Sequence, residues 1–357
     1  MQSGGLARFR CHLIKLDCAS VFNGEASLVV RTLVNSGFAN KRGTIRTLDW
    51  EIISSSLDDD NALALQKKLT MYAEPSPLLS LEIDRAFGTK KEEVNALKLA
   101  RRKGQVLGIV LLKNRDFDSR HFEKKVGSLE IFCSLGNRYS ENRLIKDLLL
   151  KELTAQLETF DYLTCRVPAE DIAAANVLEH HGFEILSGML SFQFNFRRND
   201  FPKRETSRIT PCRLNEVSSL ATIAGQAFVY DRFHQDYKLT DKHCDSLHEK
   251  WVTNCCVNGL ADVVLVSRQD GDPSGFIACR VAGELNKVRF GEIVLVSVAS
   301  NLHGQGIGGS LIQAALEWFQ ERTDIVFVRT ESTNYSSVKM YLNAGFSLIE
   351  SSNYFRR

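Results

Sequence analysis

One stretch of this chain occurs twice, and that constrains the fold more than any other feature. Residues 163–186 (LTCRVPAEDIAAANVLEHHGFEIL) lie over residues 326–349 (VFVRTESTNYSSVKMYLNAGFSLI) without a gap, at an offset of 163. Arg166 then meets Arg329, Asp171 meets Asn334, Ala174 meets Ser337, and Gly182-Phe183 meets Gly345-Phe346. The same offset carries residues 128–135 onto 291–298 and residues 140–153 onto 303–316. A gapless correspondence over strand-like and helix-like segments marks a duplicated folding unit. At 357 residues, with 44% of them apolar, the chain can give each copy its own core of ordinary domain size.

Each copy reads as an α/β unit in which short apolar strands alternate with amphipathic helices. In the second copy, strands are expected over 262–267 and 275–281, joined by the turn-rich RQDGDPS, and then over 292–298, 325–329 and 346–355. Helices are expected where Ile307, Leu311, Ile312, Ala315, Leu316 and Phe319 recur at helical spacing, and again over 336–343. The first copy repeats the order: a hairpin over 96–112 turning at Arg102-Lys103-Gly104, a strand over 129–135 and a helix over 141–157. The expected organisation is an unassigned extension (1–45), a first unit (46–196), a linker rich in Arg, Asn, Asp, Pro and Lys (197–207), and a second unit (208–357).

Charge and cysteine usage exclude several classes of function. The net charge is +2, the isoelectric point is about 8.0, and the basic residues are scattered, so no nucleic-acid footprint is present. Nine cysteines occur without CxxC pairs or His/Cys spacing suited to zinc, and Cys255 and Cys256 are adjacent. They read as reduced thiols of a cytoplasmic protein, with no metal expected. No apolar run approaches the ~20 residues that span a bilayer, and Arg8, Arg10, Lys15 and Asp17 interrupt any signal-peptide core. Nothing acidic precedes Asp17, which leaves a transit peptide as the alternative.

The chemistry concentrates in residues 297–312, SVASNLHGQGIGGSLI, where a buried strand runs through a glycine-rich turn into a helix. Such a turn aims free backbone N–H groups and the positive end of the helix dipole at whatever lies above it, and a pyrophosphate fits there. Gly304, Gly306, Gly308 and Gly309 leave no side chain between backbone and anion. No Gly-Lys-Ser/Thr follows, so this is not a Walker loop. From the glycines alone, a helix start that binds nothing remains the competing reading.

The same stretch resembles the acyl-CoA loop of the GNAT superfamily, Gln/Arg-x-x-Gly-x-Gly/Ala after the fourth strand. Here it stands as His303-Gly304-Gln305-Gly306-Ile307-Gly308, with His303 at the Gln/Arg position. Downstream, the superfamily pattern Asn-x-x-Ala-x-x-x-Tyr-x-x-x-Gly-Phe is present as Asn334, Ser337, Tyr341, Gly345 and Phe346, with Ser in place of Ala. The resemblance is good over 206–357 and weaker over 46–196. It implies two tandem GNAT-type mixed central sheets flanked by helices, with acetyl-CoA as cosubstrate and direct acyl transfer to an amine. It further implies that His303 to Ser310, with Gly309, and Asn334 contact the CoA, that the backbone of Val298 holds the pantetheine arm, and that Tyr341 protonates the departing thiolate.

At the 163-residue offset, Gly304, Gly306, Gly308 and Gly309 become Glu141, Arg143, Ile145 and Lys146, and Tyr341 becomes Leu178. The first unit is therefore expected to be degenerate, keeping the fold without the donor site and walling off part of the acceptor pocket. Two residues are candidates for the general base. Glu292 is the lone carboxylate of its apolar strand, where burial would raise its pKa. His234 has a reference pKa near ~6.5, suited to taking a proton from an ammonium. A water chain with no single base is the alternative.

Residues 227–239, AFVYDRFHQDYKL, resemble the Ala-Phe-x-x-Ser-Arg-Phe element of the TDP-fucosamine acetyltransferase type within the superfamily, with Asp231 in place of the Ser. That resemblance implies a small-molecule acceptor, the amine of a nucleotide-linked amino-deoxy sugar, with Arg232 and Phe233 at the substrate. The rivals are a peptide, lysine, polyamine or metabolite amine, and, in a different class, an acyl-CoA sensor or scaffold without turnover. No nucleic-acid or membrane partner is expected, and a homodimer is compatible with this reading.

Overall fold

The computed structural model describes residues 50–57, 59–73, 81, 84–200, 204–228 and 231–357. The extension over 1–45 and part of the expected linker lie outside the described residues. Two compact units result, one made of the described residues up to Ile185 together with Ser352–Arg357, the other of Leu186–Ser351.

The first unit holds β1 (Trp50–Ser54), α1 (Asp60–Ala73), β2 (Val94–Arg102), β3 (Gln105–Asn114), α2 (Asp116–Phe122), β4 (Val126–Ser134), α3 (Tyr139–Leu157), β5 (Tyr162–Pro168) and α4 (Ile172–His180). Its sheet runs β1-β2-β3-β4-β5 and closes on the segment Ser352–Arg356, antiparallel throughout except for the parallel β4/β5 pair. The β2–β3 hairpin turns on Lys103 and Gly104, both with positive φ (51° and 78°), the two-residue geometry that matches strand twist.

The second unit repeats that architecture. It contains β6 (Glu184–Asn195) from Leu186 on, β7 (Ile209–Pro211), α5 (Val217–Ala227), α6 (Asp241–Val257), β8 (Val263–Gln269), β9 (Asp272–Leu285), β10 (Val288–Val298), α7 (Ile307–Phe319), β11 (Ile325–Glu331), α8 (Tyr335–Asn343) and the first residues of β12 (Ser347–Arg356). The strand order is β7-β8-β9-β10-β11-β6, and the single parallel pair is again the fourth with the fifth, β10 with β11. Each unit is thus a mixed sheet flanked by helices. Each completes its sheet with the last strand of the other repeat: β6 pairs with β11, and the second half of β12 pairs with β5.

Period-2 alternation explains how the second sheet buries both faces. Val264, Val266, Phe276, Ala278 and Leu295 pack on Leu220 and Ala224 of α5 and Val252 and Cys255 of α6. Their neighbours Leu265, Ile277, Cys279 and Ile293 pack on Leu311, Ile312, Ala315, Leu316 and Phe319 of α7. Among the described residues, no helix is long and apolar enough to cross a membrane.

Candidate functional site

In the second unit, β10 and β11 form a parallel ladder only from Phe290/Ile325 to Glu292/Phe327. Beyond that point β10 stays with β9 as far as Val298/Gly275, through an irregularity between Ile293 and Leu295. A bulge of this kind increases local twist and turns a strand away from its neighbour. The chain leaving β10 passes through Ser300–Leu302 into the loop before α7. Gly304 and Gly306 have φ of 80° and 82°, and a Cβ at either would meet nothing within 4 Å. The donor N–H groups of the first turn of α7 therefore begin beside open space, where an anion can reach them. Gly308 serves a different need, since a Cβ there would stand 2.7 Å from Met340 Sδ of α8. Beside Gly309 stands a cation, Arg204, whose Cζ would lie 3.0 Å from a Cβ on that glycine. His303 Nε2 lies 2.9 Å from the Val298 carbonyl, so a pantetheine arm would compete with the imidazole for that oxygen.

Tyr341 projects from α8 into the core between Phe192 and Phe346, with ring centroids at 5.7 and 5.8 Å. It is 2% exposed. Burial, reinforced by the negative charge of Glu331, pushes the phenol above its ordinary pKa and keeps its proton in place. Glu331 ends β11. Burial raises its carboxyl above the usual range, against the pull of the Arg232 guanidinium, whose Nη1 is 4.0 Å from Glu331 Oε1. Arg232 also lies over the Phe233 ring, 4.3 Å from its centroid. Sequence reasoning missed Glu331. The signal was available, a carboxylate at the end of the buried run IVFVRTE, three residues before the Asn334 cap.

Several expected residues stand in settings other than those anticipated. Glu292 is not alone among apolar neighbours: its carboxylate bonds to Arg280 and lies 3.8 Å from Arg329 Nη1. Two guanidiniums flank that carboxylate within the sheet, in place of the purely apolar surroundings expected for it. His234 is not a solvated loop imidazole. Its Nδ1 is 2.6 Å from Asp231 Oδ2 and its Nε2 is 3.0 Å from Asp245 Oδ1. Burial disfavours its charge, but hydrogen bonds to Asp245 and Asp231 outweigh that and raise its pKa. With both ring nitrogens engaged, it has no free site for an incoming proton. Asn334 caps α8, its Oδ1 accepting from Ser337 N–H at 3.2 Å and from Ser336 Oγ at 2.9 Å, which gives it a structural task that needs no CoA.

The first unit shows what the glycines leave open. At the position of Gly309 stands Lys146, buried, with its Nζ 2.7 Å from Ser134 Oγ and 2.9 Å from Asp171 Oδ2. Asn142 Oδ1 accepts from Ser134 Oγ and from Gly136 N–H at 2.8 and 2.7 Å. A lysine, a serine, an asparagine and an aspartate thus fill the first-unit counterpart of the glycine cradle, and Asp171 caps α4 as Asn334 caps α8.

Comparison with known proteins agrees with this geometry. Residues 227–346 match the Acetyltransferase (GNAT) family. The spore coat polysaccharide biosynthesis protein SpsD of Bacillus subtilis is 22% identical over 253 residues, 70% of this chain and 83% of that protein. An uncharacterized N-acetyltransferase of Archaeoglobus fulgidus is 30% identical over 110 residues, 30% of this chain and 72% of that protein. The dTDP-fucosamine acetyltransferase of Escherichia coli is 23% identical over 203 residues, 56% of this chain and 82% of that enzyme. Among solved structures, a tandem GNAT protein from the clavulanic acid biosynthesis pathway shares the fold with a TM-score of 0.53 and 12% identity, over 86% of this chain and 98% of its own. The glycine turn at α7, the strands that part above it and these relatives agree: the chain belongs to the GNAT family of acetyltransferases.

Proposed function

We propose that the second unit transfers the acetyl group of acetyl-CoA to the amine of a nucleotide-linked amino-deoxy sugar. The observation that carries the donor half is the open ground beside Gly304 and Gly306 at the start of α7. A pyrophosphate there would be held by N–H groups of the segment from His303 to Ser310, including Gln305, Ile307 and Gly309, with the helix dipole adding to the attraction. Arg204 supplies a formal charge at the same loop.

For transfer, the acceptor must first lose its ammonium proton. Glu331 is the group suited to take it, a carboxylate whose affinity for a proton is raised by burial. The free amine then attacks the thioester carbonyl carbon, forming the C–N bond as the C–S bond breaks. The thiolate takes its proton from Tyr341, whose phenol is held protonated, and the second proton of the nitrogen, acidified as the C–N bond forms, restores that phenol. The charge of Glu331 also raises the pKa of Tyr341, which supports placing base and acid in one site.

For the acceptor, support comes from the names of two relatives, one in spore coat polysaccharide biosynthesis and one acting on dTDP-fucosamine, and from Arg232 stacked on Phe233. A guanidinium grips a diphosphate, and an aromatic ring offers a face to a base or sugar. The test compares dTDP-4-amino-4,6-dideoxygalactose, the same sugar without its nucleotide, and a peptide amine, each with acetyl-CoA in a thiol-release assay. Turnover is expected to favour the nucleotide sugar, and Arg232→Ala should raise KM for it while KM for acetyl-CoA stays nearly unchanged. Preference for the peptide, or indifference to the nucleotide, would overturn the acceptor assignment.

A further inference from the structure

Near the residues assigned to the acceptor, the second unit holds a buried cluster of Asp231, His234 and His248, each offering one ligand atom within 4.8 Å of the others. Its hydrogen bonds have a common direction. His248, 2% exposed, has Nδ1 3.0 Å from the Cys244 carbonyl, so that nitrogen carries the proton and Nε2 presents a lone pair. Burial lowers the pKa of His248 and keeps it neutral. That Nε2 faces Asp231 Oδ2 at 3.8 Å. Two acceptors face each other inside the protein, an arrangement that repels unless something positive lies between them.

The other two members are held in the same sense. Asp231 Oδ1 accepts from the N–H groups of Phe233 at 2.7 Å and His234 at 3.3 Å, which fixes the carboxylate and leaves Oδ2 turned to the imidazoles. His234 Nε2 lies 3.0 Å from Asp245 Oδ1, and its Nδ1 faces Asp231 Oδ2 at 2.6 Å. The 2.6 Å contact is bridged by a proton; once that proton leaves, Nε2–H still donates to Asp245 and Nδ1 becomes a lone-pair nitrogen. Each histidine therefore has one nitrogen anchored by an oxygen and the other turned to the same carboxylate atom. Metal-ligating histidines are oriented in this way.

We propose that Asp231, His234 and His248 bind one divalent transition-metal ion of the zinc class, through Asp231 Oδ2, His234 Nδ1 and His248 Nε2. Two imidazoles and one carboxylate favour zinc, cobalt or nickel over magnesium and calcium, which prefer all-oxygen sets. With metal–ligand distances of about 2.0–2.2 Å, the 3.8 Å separation of His248 and Asp231 already suits two ligands of one ion. The 2.6 Å contact of His234 and Asp231 opens as the ion replaces the proton they share. That proton leaves to solvent, so one proton is released for each ion bound. Three protein ligands leave a fourth position for water. The ion would clip the segment carrying Arg232 and Phe233 to α6, which carries His248.

The test uses the full chain, stripped with a chelator and dialysed. It is titrated with Zn²⁺ by calorimetry and with Co²⁺ by visible absorption. One ion per chain is expected, with the visible band of four-coordinate cobalt and one proton released to the buffer for each ion bound. His248→Gln should remove the site. Because that change lies in the core, Asp245→Asn serves as the second variant: Asp245 is half exposed, the fold is expected to persist, and affinity should fall by about 10- to 100-fold. Zinc bound no more tightly than by His248→Gln, an affinity unchanged in Asp245→Asn, or no cobalt band would overturn the proposal. None of these readouts depends on acetyl transfer, so they stand or fall apart from the proposed reaction.

Discussion

In the proposed reaction Tyr341 is the acid and Glu331 the base, and their buried settings give opposite consequences. Burial keeps the phenol protonated, as an acid for the thiolate requires, and makes the carboxyl a stronger base than a solvated one. Tyr341→Phe keeps the ring between Phe192 and Phe346 and removes only the hydroxyl. It should lower kcat by roughly 10²-fold while the Kd of acetyl-CoA changes little, and steady-state rates beside a calorimetric titration measure both. For Glu331 the sign is set by its raised pKa. The base works only when deprotonated, so activity should fall as pH drops through a value above the ~4.3 of an ordinary glutamate. Glu331→Gln should erase that acid limb from the kcat profile, and an unchanged profile would return the task to a water chain. The place of Tyr341 on α8 was legible because its spacing from Asn334 and Gly345-Phe346 survives in one dimension. Glu331 was not, because its proximity to Arg232 and Tyr341 depends on three separate elements converging. The settings of Glu292 and His234 were hidden for the same reason: Arg280, Arg329 and Asp245 lie on other elements.

At the scale of elements, the two copies solve the same turn differently. Where α7 starts on open glycines, α3 of the first unit is locked by Lys146, Ser134 and Asp171. Asp171→Asn would keep a cap of the Asn334 kind but leave the buried Lys146 ammonium without its carboxylate. A cost of about 3–5 kcal/mol is expected, measured by urea unfolding, as usual for breaking one side of a buried pair. Asn334→Ala should cost only ~1 kcal/mol, the value of a lost cap. The hairpin turning at Lys103-Gly104 was readable because glycine announces positive φ. The one joining β9 to β10 was not, since Asn286 and Lys287 carry φ of 51° and 63° without any glycine, and β9 accordingly extends beyond the strand expected over 275–281. The parting of β10 from β11 also escapes the sequence, because an apolar run does not show where a ladder stops.

Across the whole molecule, the duplication was legible and its strand assignment was not. The 163-residue offset places α4 on α8 residue for residue, with Asp171 and Asn334 as their caps. A repeat in sequence does not say which copy's last strand completes which sheet, because both copies have the same pattern there. Pairing places β6 from Leu186 on in the second unit and Ser352–Arg357 in the first. With two GNAT-type units, the chain is proposed to have one donor site, at the loop with Gly304 and Gly306. Calorimetric titration of the full chain with acetyl-CoA tests it most directly. One site per chain is expected, lost in Gly306→Asp, where a carboxylate stands against the pyrophosphate and a side chain must adopt φ near 82°, while circular dichroism shows the fold intact. Two equivalent sites per chain, or undiminished binding in Gly306→Asp, would contradict it.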